Sequence, residues 1–71
     1  MKLTRVKAYL NGEFTTFEIV YFTDSHAEAL HKFRVEFPNM NECILIAETL
    51  NTENEKDNRF IETCVKCGAF R

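Results

Sequence analysis

The chain has no tryptophan, one proline and two glycines in 71 residues. Two glycines exclude a Gly-rich phosphate loop. A single serine, Ser25, leaves no serine-centred nucleophile elbow. No apolar run is long enough to cross a bilayer, and Met1-Lys2-Leu3-Thr4-Arg5 lacks the apolar region of a signal peptide, so a cytoplasmic protein without a membrane role is expected. Neither sign of charge dominates. Nine basic against eleven acidic residues leave a net charge of −2, which supplies no overall pull toward nucleic acid. Three cysteines are an odd number and argue against a finished disulfide framework.

What is present is a compact apolar set, 45% of the chain, with seven phenylalanines and two tyrosines. That is the composition of one small globular domain, residues 1–71. A core this small has a thin stability margin, which a metal, a disulfide or a partner chain would widen.

Residues 3–10 alternate: Val6, Ala8 and Leu10 against Arg5, Lys7 and Tyr9, the pattern of a half-buried strand. Asn11-Gly12 is a strong hairpin signal, because both positions tolerate positive φ. A second strand follows to Phe22, with Phe17, Ile19 and Tyr21 on one face and Val20 and Phe22 on the other. Ser25-His26-Ala27-Glu28 has the spacing of a capping box. Ala29, Leu30, Phe33 and Phe37 then make a helical stripe, which Pro38-Asn39 ends. Residues 43–50 form an apolar run that reads as a strand buried on both faces. Residues 51–58 read as a solvated acidic hairpin tip, and residues 59–65 as a last strand. The expected architecture is α+β, ββαββ, with one helix on a four-stranded antiparallel sheet.

One helix covers one face. Val20, Phe22 and either Ile44/Ile46 or Leu45/Ala47 then lie on the uncovered side, either under the long loop or the C-terminal tail or, on the sharper reading, as an interface with another protein or a homodimer. Tyr9, Val20, Phe22 and Phe60 are the candidate anchors, and Glu53, Glu55 and Asp57 the rim charges. Aromatic centres with charged rims are the usual anatomy of such surfaces.

The chain ends Cys64-Val65-Lys66-Cys67-Gly68-Ala69-Phe70-Arg71. Cys-x-x-Cys-Gly is how one knuckle of a zinc site is written, yet zinc needs four ligands. A hairpin of the last two strands would bring Cys43 beside Cys64 and Cys67, giving three. His31 and His26 lie too far along the helix to be the fourth, which leaves a second chain or a water, and Glu42 is adjacent to Cys43. Buried packing is the alternative use of these thiols. A redox role fits less well, because that chemistry places Cys-x-x-Cys at a helix start. No catalytic motif is present, so an enzyme is not expected. Arg5, Lys7 and Tyr9 on one strand face would suit stacked single-stranded bases, so a zinc-stabilised nucleic-acid module is the alternative function.

The run from the Asn-Gly turn through Tyr-Phe-Thr-Asp-Ser to His-Ala-Glu-Ala-Leu-His-Lys-Phe, within residues 3–37, resembles small phage-encoded early proteins. Among these are inhibitors of host RNA polymerase and antitoxins. The resemblance implies a non-enzymatic binder that blocks a host protein by steric occlusion. It carries no functional residues to this chain.

Overall fold

The computed structural model describes residues 1–9, 16–40 and 42–71. The expected Asn11-Gly12 turn lies outside them. The elements run β1 (Lys2–Tyr9), β2 (Thr16–Tyr21), α1 (His26–Glu36), a 3-10 turn at Pro38–Met40, β3 (Ile44–Asn51) and α2 (Glu55–Cys67). The class is α+β, but the four-stranded ββαββ expectation is corrected. Among the described residues the sheet has three antiparallel strands in the order β2-β1-β3, and a second helix replaces the expected last strand.

The first strand is thus the central one. It pairs with β2 (Val6 opposite Ile19) and with β3 (Val6 opposite Ala47). Alternation sorts the side chains onto two faces. The upper face carries Thr4, Val6, Ala8, Phe17, Ile19, Tyr21, Leu45 and Ala47. There α1 lays down Ala29, Leu30, Phe33 and Phe37, as its apolar stripe requires. Phe17, Phe33 and Phe37 form a ring cluster with centroids 4.9–6.3 Å apart.

The start of α1 shows the capping box in a modified form. Ser25 Oγ accepts from the Glu28 N–H at 3.2 Å. The Glu28 carboxylate does not reach back to Ser25. Instead the Thr23 hydroxyl donates to Glu28 and accepts from the Ser25 N–H. Both orphan donors are satisfied, with a threonine as the relay.

The lower face carries Leu3, Arg5, Lys7, Tyr9, Glu18, Val20, Phe22, Ile44, Ile46, Glu48 and Leu50. α2 seals one end of it, closing Ile61 and Cys64 over Leu3, Val20 and Leu50. The residues expected as a strand are helical for local reasons. Asn54 Oδ1 accepts from the Asp57 N–H at 3.2 Å and starts the helix. Glu55 and Asp57 then lie in its first turn, where the helix dipole favours acids. Phe60, Ile61 and Cys64 recur at helical spacing. The acidic stretch is therefore a turn and a helix start, not a hairpin tip.

The helix ends at Gly68, with φ of +79°. The Ala69 N–H donates to the Cys64 carbonyl at 2.8 Å and the Gly68 N–H to that of Val65 at 3.4 Å. This is a Schellman ending, and the left-handed position explains the glycine. After it, residues 69–71 run parallel to β2. The Val20 N–H donates to Ala69, the Arg71 N–H to Val20 and the Phe22 N–H to Arg71, at 2.8–3.0 Å. The tail thereby covers part of the outer edge of β2.

Candidate protein-docking face

The two sheet faces are not protected equally: α1 lies along the upper one. α2 crosses only the Leu3–Val20–Leu50 end of the lower one. At the other end Tyr9 stands opposite Ile44 on β3, and Lys7 opposite Ile46. Ile44 is 68% exposed and Ile46 39%. Among the described residues no element covers this half, leaving an apolar strip of Tyr9, Ile44 and Ile46.

A charged band separates the strip from α2. Arg5 hydrogen bonds to Glu48, and Lys7 lies 3.6 Å from Glu48 and 3.9 Å from Glu18. The Arg5 guanidinium sits 5.0 Å from the Phe60 ring centroid, where the ring's negative face attracts it. The Arg5 hydrogen bond, reinforced by the charges of Arg5 and Lys7, holds the Glu48 carboxyl below the usual range against the opposing pull of burial. Folded-state depression means that Glu48 stabilises the fold above the ordinary glutamate range. That contribution fades as pH falls through its lowered value. Both strand cations are matched by acids, so the Arg5–Lys7–Tyr9 face is not a surplus of positive charge.

The anchors expected from sequence do not share one surface. Val20 is fully buried beneath α2 and the tail, because the helix covers the face that a strand would have left open. Phe60 is half-buried beside Arg5. Phe22 is 58% exposed and meets Phe70 at 6.3 Å between centroids, at the far end of the lower face from Tyr9. It borders an open hollow of about 330 Å³ with Met1, Leu3 and Thr23. Glu53 and Glu55 are exposed at the start of α2, and Glu55 pairs with Arg59. Asp57 is occupied structurally, its Oδ2 accepting from the Asn51 N–H at 2.9 Å.

The cysteine trio is also dispersed. Cys43 packs with the upper core, while Cys64 lies in the lower one. The sheet stands between them, because their convergence needed a terminal hairpin that the chain does not form. Cys67 is exposed, with its Sγ 3.1 Å from the Thr63 carbonyl. Among the described residues no group of three His, Cys, Asp or Glu side chains could hold a metal. Burial pushes the Cys64 thiol up, and Cys67 and Glu18 add to that against Arg5. Native-state alkylation should therefore modify Cys67 quickly and Cys64 only at the rate of unfolding, as peptide mapping over time would read. Equal labelling of both would contradict the packing of α2.

The exposed pair that the anchor set omits is Ile44 and Ile46. Their alternation with Leu45 and Ala47 was visible, but which pair faces open space depends on where each helix lies. Among the described residues no helix is long and apolar enough to cross a membrane. No protein-family model, curated protein or solved structure matches the chain.

Proposed function

We propose that this chain is a small non-enzymatic protein-binding module. It docks through the bare half of the lower sheet face and acts by steric occlusion. The supporting observation is the Tyr9–Ile44–Ile46 strip, with two large aliphatic side chains held in the open on a regular strand. Exposed apolar groups rimmed by charge suit a protein partner, the strip excluding water and the rim setting orientation. Here the rim is Lys7, Glu18 and Glu48. The occlusion mechanism is the one implied by the resemblance to phage early proteins.

The test is a photo-crosslinking residue at position 9, with position 35 as control. Val35 is 67% exposed on α1, away from the strip. In cells that contain the partner, a discrete adduct with another protein is expected from position 9 and not from position 35. Tyr9→Ala should weaken binding of that protein at least about tenfold, the effect of losing one aromatic anchor. No adduct from position 9, or equal adducts from both, would overturn the reading.

A further inference from the structure

The two edges of the sheet are finished differently. On β2, the tail takes up the outward groups of Val20 and the N–H of Phe22. On β3, the register shows which groups face outward. The Thr52 N–H donates to the Met1 carbonyl at 3.0 Å, and residues 1 and 52 continue the β1–β3 pairing. Backbone groups alternate along a strand, so Ile44, Ile46, Glu48 and Leu50 direct theirs toward β1. Leu45, Ala47, Thr49 and Asn51 direct theirs away from the sheet. The Asn51 N–H is taken by Asp57 and its carbonyl by the Asn54 N–H. Among the described residues, nothing takes those of Leu45, Ala47 and Thr49. Three donors and three acceptors thus stand in a row on a strand without proline.

Edge strands of monomers are normally blunted by lysine, proline, a bulge or a covering segment. Among the described residues, the stretch from Leu45 to Thr49 has none of these. Its one charge, Glu48, is turned to Arg5 and Lys7 of the neighbouring strand. We infer that β3 pairs antiparallel with β3 of a second copy of this chain, joining two three-stranded sheets into one of six strands.

The row is complementary to itself. With Ala47 opposite Ala47 at the two-fold axis, Leu45 faces Thr49 of the other copy, and Thr49 faces its Leu45. All six outward groups on each copy are then satisfied, and Ile46 comes opposite Glu48 of the other copy. The partner acid brings little net charge, because its own Arg5 and Lys7 balance it. The pairing also sets the two Tyr9–Ile44–Ile46 strips on one continuous face. It therefore deepens the docking reading and rests on it for its function, though not for its chemistry.

Sedimentation equilibrium across a concentration series, with amide hydrogen exchange, tests the pairing. The wild-type mass should rise from 8.3 kDa toward twice that value. The amides of Leu45, Ala47 and Thr49 should slow as concentration rises, while that of Glu18 on the other edge does not. Ile46→Glu gives each copy one carboxylate beyond what Arg5 and Lys7 balance, and the two added carboxylates are diagonal neighbours across the two-fold axis; Ile46 is exposed on its own copy, so the fold is kept. It should weaken self-association at least about tenfold. A wild-type chain that stays at 8.3 kDa up to its solubility limit overturns the inference, as does a dimer whose three β3 amides exchange as in the monomer. A monomer that still gives the position 9 adduct removes the edge dimer and leaves the docking reading. A dimer without that adduct does the reverse.

Discussion

Phe33→Ala is expected to leave most of the chain unfolded at 25 °C. Phe33 is fully buried and sits between the sheet and the Phe17 and Phe37 rings. Removing a buried phenyl group costs about 3–5 kcal/mol, from lost transfer energy and the cavity left behind. A core of this size rarely supplies more than about 3–5 kcal/mol in all. Both helices pack on the same three strands, so loosening α1 loosens the whole. Far-UV circular dichroism with a urea titration would read the loss. A cooperative transition at the parent midpoint would mean that α1 does not seat Phe33 in the core.

The second large effect is a contrast between two positions on one strand face. Val20→Asp is expected to abolish the native fold at neutral pH, and Phe22→Asp to cost about 1 kcal/mol or less. Val20 is fully buried among Leu3, Leu50, Ile61 and Cys64. A carboxylate there loses its hydration, and the one cation opposite it, Arg5, is already taken by Glu48, so the penalty is several kcal/mol. Phe22 is exposed and gives up chiefly its edge contact with Phe70. The pH dependence carries a sign. Burial raises the folded-state pKa of the new aspartate against the pull of Arg5, whose charge Glu48 already takes up, so Val20→Asp should gain stability as pH falls through that raised value. Glu48 behaves in the opposite sense. Thermal melts of both variants at pH 7 and in mild acid would check this. Equal tolerance of the two substitutions would mean that α2 does not cover Val20.

This contrast also marks how far the sequence was legible. β1, β2, α1 and β3 could be read because each has a strong period and, for α1, a serine cap and a proline stop. Even the sorting of Phe17, Ile19 and Tyr21 from Val20 and Phe22 followed from alternation alone. α2 escaped because it is short of apolar residues. Phe60, Ile61 and Cys64 over five positions also suit a brief strand, and Cys-x-x-Cys-Gly invites a metal reading. The deciding signals were small: an asparagine cap at Asn54, a Glu55–Arg59 pair four apart, and a glycine one turn after Cys64. The site inherited that error. Val20 counts as surface only if nothing crosses the lower face, and Cys43 meets the other thiols only if residues 59–65 form a strand. Ile44 and Ile46 were one of two possible uncovered pairs, and tertiary placement of the helices decided between them.

The upper-face lock on the tail is equally long-range. Glu36 of α1 receives the Tyr21 hydroxyl at 3.2 Å and also binds Arg71. Burial raises the Tyr21 pKa, and the charge of Glu36 and its hydrogen bond add to that, so the phenol stays a donor throughout the physiological range.

The placement of β1 has a consequence for how the chain is born. Of the three described strands β1 is made before the two that must flank it, and Lys2 waits for Asn51. Helix α1 can form early, but its floor is incomplete until β3 arrives. The lid over Val20 comes later still, with residues 61–71. Nascent chains should thus remain sensitive to protease until residues 61–71 clear the exit tunnel, then close in one late step.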